Sequence, residues 1–214
     1  MNYCIGLCGQ KQVGKDTVFE IMKPHLEQAL SKRFVRIAFA DEVKNMLCKF
    51  RYMGSGQKLT RVTRDFIEDN KNSAAIPNGW NMCIRDAMNN VGDRFREICP
   101  DIWIHLAFLN SSKDEGKVVT DVRYVNEAAF IKNEMKGLNI KILRKEAYQE
   151  EGHKSETSFH DFDKKIPLDF EGQAYMPDSP YDYILRNDED RKSLEDKIKT
   201  QLVPFILNRW KFFI

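Results

Sequence analysis

Apolar and polar positions follow two rhythms along this chain. Short apolar runs stand at Cys4–Cys8, Phe34–Phe39, Val118–Val122, Ile140–Leu143 and Tyr183–Leu185, and each predicts a buried strand. Between the runs, apolar residues recur at intervals of three and four. Val18, Ile21, Met22, Leu26 and Leu30 predict a helix after the first strand. Ile84, Met88, Val91, Phe95 and Ile98 predict another with one buried stripe, and Ile102, Leu106 and Leu109 a third beyond the break at Pro100-Asp101. Ala128, Ala129, Ile131 and Met135 fill a helix over 126–136 that Gly137 stops. Leu194, Ile198, Leu202, Phe205 and Ile206 line one face of 191–210. Strands alternating with helices predict an α/β fold, a five-stranded parallel sheet with helices on both faces.

Two stretches break the rhythm. Residues 51–80 hold Gly54, Gly56, Pro77 and Gly79 among many charges around one short possible helix, and 146–180 is polar with Gly152, Pro167, Gly172, Pro177 and Pro180. Loops of this length are usually functional or disordered. The 214 residues are expected to form one domain, 1–214, with a substrate-binding insert at about 45–110 and a lid at about 146–180.

The first strand runs into Gly9-Gln-Lys-Gln-Val-Gly14-Lys15-Asp16-Thr17. The spacing Gly-x-x-x-x-Gly-Lys between a strand and a helix is that of a phosphate-binding loop. The glycines let backbone N–H groups turn inward toward phosphate oxygens, the lysine reaches the β- and γ-phosphates, and the helix offers its positive end. Asp16 stands where Ser or Thr normally binds Mg²⁺, and Thr17 follows one later. Asp16 is open to two readings, a water-mediated contact to Mg²⁺ or a cap on its helix. Asp121 closes the third apolar run, Val118-Val-Thr-Asp121-Val-Arg123. In a parallel sheet the C-terminal strand ends face the ligand crevice, so Asp121 is a candidate to order Mg²⁺ through water and Arg123 to fork a phosphate.

Composition narrows the partners. A formal charge of +2, from 34 Lys and Arg against 32 Asp and Glu scattered along the chain, gives no footprint for nucleic acid. Apolar runs are too short to cross a bilayer, and the first residues do not read as a signal peptide. Cysteines 4, 8, 48, 83 and 99 are odd in number and form no Cys-x-x-Cys pair, which predicts free thiols in a reducing compartment. A cytoplasmic protein is expected (host cytoplasm if viral). Neither monomer nor homodimer is favoured, since the closing Trp210-Lys-Phe-Phe-Ile reads equally as core or as a dimer patch.

The form Gly-Lys-Asp-Thr resembles the loop of phage-type deoxynucleoside monophosphate kinases, whereas adenylate kinases read Gly-Lys-Gly-Thr. Other stretches carry the same resemblance in order. Phe39-Ala-Asp41-Glu-Val-Lys44 is similar to their Phe-Ala-Asp-x-x-Lys, and Arg85 with Gly92-Asp-Arg-Phe-Arg96 to their Arg…Gly-x-x-x-Arg helix. Pro100-Asp101-Ile-Trp103 resembles the Asp-x-Trp that follows, and Asp121-Val-Arg123-Tyr-Val-Asn126-Glu127 their Asp-x-Arg-x-x-Asn-Glu. His153-Lys-Ser155-Glu156 resembles their lid motif, and Tyr181-Asp-Tyr-Ile-Leu-Arg-Asn187 the last strand and its turn; the 51–80 stretch matches least well.

The resemblance implies a P-loop NTPase fold of adenylate-kinase type with a lid, ATP as co-substrate, Mg²⁺ as cofactor and small-molecule nucleotides as ligands. It implies that Gly9, Lys11, Gly14, Lys15, Asp16 and Thr17 hold the donor phosphates, with Arg144 and Asn187 at the adenine. It implies an acceptor monophosphate held by Asp41, Lys44, Arg85, Arg123 and Glu156 near Trp103, with Arg96 at the transferring phosphoryl group. Lys15, Arg96, Arg123 and Asp121 would be catalytic, and Asp16, Thr17 and Asp121 would hold Mg²⁺, some through water. Lys44, Arg85, Trp103, Arg144 and Asn187 also have plain structural readings. His153 and His160 beside Glu156 and Asp161 fit no strong metal-ligand spacing, so a hydrogen-bonded turn is expected there. Two other expectations compete: a different small-molecule kinase of phosphomevalonate or dephospho-coenzyme A type, and a slowly hydrolysing nucleotide switch.

Overall fold

The strands of the chain, in a computed structural model, are β1 Cys4–Cys8, β2 Phe34–Ile37, β3 Arg51–Met53, β4 Leu59–Arg61, β5 Gly116–Val122, β6 Leu138–Leu143, β7 Gly172–Gln173 and β8 Tyr183–Arg186. The helices are α1 Lys15–Leu30, α2 Phe39–Leu47, α3 Arg64–Asn70, α4 Ile84–Ile98, α5 Ile102–Leu109, α6 Val125–Asn133, α7 Lys154–Thr157, α8 His160–Asp163, α9 Arg191–Lys197 and α10 Val203–Lys211. The structure describes residues 3–109, 111–147, 153–174 and 178–211, without the side chains of Ser155 and Glu156. Two compact units emerge: Met1–Ile37 with Ser111–Ile214, and Ala38–Asn110.

The first unit is an α/β sheet in the order β2-β5-β1-β6-β8-β7. Its first five strands are the expected ones, and every pairing among them is parallel. A sixth strand corrects the five-stranded expectation: β7 pairs antiparallel with β8, Gly172 opposite Ile184 and Gln173 opposite Tyr183. Two residues inside a polar stretch leave no apolar signature, and backbone pairing to the otherwise open edge of β8 is what makes them a strand. β2 also ends earlier than its apolar run. Ala38 is the extended residue before α2, and Phe39 turns into that helix with Asp41 and Glu42 complementing its N-terminal dipole.

Helix α1 lays Val18, Ile21, Met22 and Leu26 onto the sheet. Full burial of each contributes about 1.5–3 kcal/mol, so Leu26→Ala is expected to cost about 2–5 kcal/mol. Pro24 is tolerated inside α1 because it lies on the exposed side, as does Glu20, whose carbonyl loses its usual partner. The C-terminal helix expected over 191–210 is interrupted by a π turn at Ile198–Leu202 and ends with Trp210 buried. That indole meets the Tyr3 ring edge-on at 4.8 Å and stacks toward Phe34 at 6.2 Å, tying the last helix to the start of the central strand β1 and to the edge strand β2.

The second unit contains α2–α5 and a two-stranded hairpin, β3 with β4. Its core is Leu47, Val62, Ile67, Ile84 and Ala87. The 51–80 stretch, expected as a long loop around one short helix, holds that helix as α3 and the hairpin besides. Thr63 starts α3 by accepting the Phe66 N–H at 3.1 Å. Among the described residues no helix is long and apolar enough to cross a membrane.

Candidate functional site

Parallel strands put their C-terminal ends on one edge of a sheet, and in the first unit that edge collects the residues the motifs single out. Cys8, the last residue of β1, is in register with Val122 on β5 and with Lys141 on β6. The chain therefore enters the Gly9–Gly14 loop beside Asp121 and Arg123. Leu143 at the end of β6 is in register with Arg186 on β8, and the Asn187 N–H donates to Leu143 O at 2.9 Å. Arg144 and Asn187 thus leave neighbouring strands side by side.

The loop has the backbone that its glycines permit. Gly14 has φ 97° and ψ 25°, and a Cβ there would lie 2.5 Å from the Asn187 Nδ2. A Cβ on Gly9 would lie 2.7 Å from Ile142 O and 2.8 Å from Val13 Cγ2. Gln12 also turns through positive φ, at 66°. Lys15 opens α1 and folds back over the turn. Its ammonium, almost buried, donates to Gly9 O at 2.7 Å and Gln10 O at 2.6 Å. Lys15 therefore spans the loop it is expected to serve, and a phosphate here would compete with carbonyl oxygens for its protons.

The exposed Asp16 carboxylate meets Arg36 Nε at 3.3 Å, a contact outside both of its readings, and the start of α1 at Gly14 has no side-chain cap. Thr17 is half-buried in the first turn of α1, and Lys11 is exposed on the loop. Asp121 is half-buried at the end of β5. The Arg123 N–H and the Tyr124 N–H both donate to Glu127 Oε2, at 2.8 and 3.1 Å. This capping box fixes how the chain leaves β5 and hence where Arg123 starts. Arg144 is partly exposed and pairs with Glu146 at 3.3 Å. Asn187, 8% exposed, donates its amide to Val13 O at 2.9 Å, so its side chain braces the Gly9–Gly14 loop.

In the Ala38–Asn110 unit, Lys44 Nζ meets Glu68 at 2.7 Å and Asp41 at 3.3 Å, while Arg64 reaches the same Asp41 oxygen at 3.3 Å. Hydrogen bonds from Lys44 and Lys71 hold the Glu68 carboxyl down to about 2. Arg85 donates to Asn72 Oδ1 at 2.5 Å, and Arg96 lies 3.7 Å from Asp93. Arg85, Gly92 and Arg96 are spaced by seven and four residues and share one face of α4. Trp103 is 1% exposed, donates its indole N–H to Gly92 O at 3.0 Å and lies against the Phe95 ring. It is an anchor of α4 from inside the unit. The side chain of Glu156 lies outside the described residues, as do 148–152 and 175–177 of the expected lid.

Two contacts escaped the motif reading. Gln10 Nε2 lies 3.5 Å from His160 Nε2, which joins the Gly9–Gly14 loop to α8. Lys141, 2% exposed, pairs with Asp163 Oδ2 at 2.6 Å, and the Tyr181 hydroxyl donates to the other Asp163 oxygen at 2.7 Å. The signal for the second was a lysine inside a strand predicted to be buried, since a buried ammonium requires a carboxylate. Among the described residues, no three His, Cys, Asp or Glu side chains cluster as a metal shell. No family model matches the chain, and no curated protein matches it.

Proposed function

We propose that the chain is a P-loop kinase of adenylate-kinase type, resembling the phage-type deoxynucleoside monophosphate kinases, that transfers the γ-phosphate of ATP to a (deoxy)nucleoside monophosphate. One observation carries the reading. A Gly9–Gly14 turn spanned by Lys15, at the head of a helix of 16 residues, shares the C-terminal edge of a parallel sheet with Asp121, Arg123, Arg144 and Asn187. Backbone amides, a helix N-terminus, a lysine and an arginine at one sheet edge are what a polyphosphate requires.

The chemistry asks little covalent help from protein. A monophosphate oxygen, already anionic near neutral pH, attacks the γ-phosphorus in line, and ADP leaves; no general base is needed. The main obstacle is repulsion between two polyanions. Lys15 and the loop amides take the donor phosphates, with Lys11 at the loop and Arg144 and Asn187 on the adenine side. Arg123, with Asp41, Lys44, Arg85 and Glu156, holds the acceptor, and Arg96 takes charge on the transferring group. Trp103 acts through α4. The oxygens of Asp16, Thr17 and Asp121 are hard donors of the kind Mg²⁺ accepts, and Mg²⁺ commonly takes only one or two carboxylates beside phosphates and water. Bound there, it would neutralise charge on the donor phosphates.

The test is a coupled ADP-release assay with ATP, Mg²⁺ and each common ribo- and deoxyribonucleoside monophosphate. Turnover with at least one is expected, and Lys15→Ala should lower it by roughly 10²-fold or more, the size of losing one preorganised charge-stabilising donor. Transfer only to an isoprenoid phosphate would replace the acceptor, and acceptor-independent release would replace the kinase by a switch.

A further inference from the structure

The Ala38–Asn110 unit contains a cavity of about 910 Å³ that none of the expected site residues lines. Leu47, Ala87 and Val91 form its floor, Phe50, Trp80 and Phe95 its aromatic walls, and Arg51 and Arg94 its charged rim. Helix periodicity separates it from the expected acceptor contacts. Ala87, Asn90, Val91 and Arg94 recur at three and four residues along one face of α4. Arg85, Gly92 and Arg96 lie on the other, because two residues turn a helix by roughly 200°. One helix thus presents two different chemistries on opposite sides.

We propose that this cavity is a second ligand site, for a flat aromatic ring bearing an anionic group. The walls are set for a ring. The Trp80 indole is held by its N–H donating to Arg51 O at 2.7 Å, and Phe50 meets it edge-on at 6.1 Å. Met82, steadied by the Asn90 amide at 3.3 Å from its sulfur, adds a polarisable surface. The rim selects charge: two arginines and no carboxylate are among the lining residues. Arg94 is paired with Glu97 at 2.9 Å, but both are largely exposed, and such pairs open readily. Arg51 is exposed. A volume of this size suits a drug-sized small molecule. The site stands apart from the kinase reading and does not depend on it.

The probe is 8-anilinonaphthalene-1-sulfonate, whose flat naphthalene bears an anionic sulfonate, titrated into the full chain by fluorescence. Saturable one-to-one binding is expected, unchanged by excess ATP or nucleoside monophosphates. Arg51→Glu with Arg94→Glu should weaken it at least tenfold. The same pair should leave the neutral N-phenyl-1-naphthylamine within twofold. Val91→Trp, which puts an indole among the residues lining the cavity, should weaken both, and cooperative urea unfolding checks that each variant is folded. Because the arginines are exposed, their charge dependence remains readable even if Val91→Trp fails to fold. Displacement by monophosphates would overturn the proposal by making the cavity the acceptor site. Unsaturable binding, or probe loss in step with dimer formation on sedimentation, would overturn it equally.

Discussion

The Asn187 side-chain amide donates to Val13 O at 2.9 Å across 174 positions of sequence, so the turn after the last parallel strand braces the loop after the first. The same amide lies where a Cβ on Gly14 would come, at 2.5 Å. Gly14→Ala must therefore displace Asn187 and strain a backbone at φ 97°. A left-handed alanine costs roughly 1–2 kcal/mol, and about 1 kcal/mol lowers the melting temperature of a chain this size by about 2–4 °C. The expected outcome is a drop of several degrees without nucleotide and, under the kinase reading, loss of most of the rise that ATP gives the wild type. Differential scanning fluorimetry reads both. A Gly14→Ala protein as stable and as ATP-responsive as wild type would show that the brace is dispensable.

Lys141 and Asp163 form a different kind of link, an ion pair almost fully out of water, with both rings of Phe159 and Tyr181 beside the ammonium at 5.6 and 5.2 Å. Removing one partner strands the other charge in the interior, which costs about 3–5 kcal/mol, whereas replacing both by apolar groups is often neutral or better. Asp163→Asn and Lys141→Met should each lower the urea midpoint sharply. Lys141→Met with Asp163→Leu and Tyr181→Phe should recover much of the loss, because no polar group of the cluster then remains unpaired. Equal destabilisation by the single and triple variants would mean that packing, and not charge, holds α8 to the sheet.

Such links explain which parts of the molecule could be read in advance. The five parallel strands were legible because each is an apolar run between helical repeats, and the Gly9–Lys15 spacing marked a glycine-flanked turn between β1 and α1. The strand β7 was not legible, since two polar residues become a strand only by pairing with β8. The β3–β4 hairpin was hidden for a similar reason: its strands are three residues long and buried little. Side-chain partners over long separations were hardest. Nothing local to Asn187 announces Val13, and nothing near His160 announces Gln10. Trp103 could be assigned to the core or to the ligand by its stripe, and the bond to Gly92 O decides for an anchor of α4.

Glu68 offers a pH test in the Ala38–Asn110 unit. Lys44 and Lys71 hold its carboxyl near 2, below the ordinary glutamate value of 4.5. A depressed carboxyl adds stability that is present above the unfolded value and disappears as pH falls through about 4.5 toward 2. Glu68 is 42% exposed on its side chain, so screening limits the contribution to at most about 1 kcal/mol. Glu68→Gln should flatten part of the stability loss between pH 5 and about 2 in urea titrations, and lower stability at pH 7–9 by at most about 1 kcal/mol without changing the slope there. The same variant removes one of the carboxylates on Lys44, so under the kinase reading the KM for the acceptor should fall. A KM that rises would mean that Glu68 holds Lys44 in its working position.

Cys4 and Cys8 are fully buried on β1, and burial pushes the Cys4 thiol up to about 12 and the Cys8 thiol further up. Cys48, Cys83 and Cys99 are partly exposed, and all five are free. Because the thiolate is the reactive form, Ellman's reagent at pH 8 should label three cysteines quickly and the remaining two only as the protein unfolds. The same burial fixes a sign at high pH. Folded chains keep these two protons while unfolded chains release them above the ordinary thiol value of 9.0, so stability falls as pH rises from there toward 12. The slope is at most about 1.4 kcal/mol per pH unit for each thiol. Replacing both with alanine lowers stability at pH 7 through lost packing, yet should make the curve between pH 9 and 11 flatter than that of the wild type. Five fast thiols, or an unchanged alkaline slope in the double variant, would place the loss of stability elsewhere than in the β1 core.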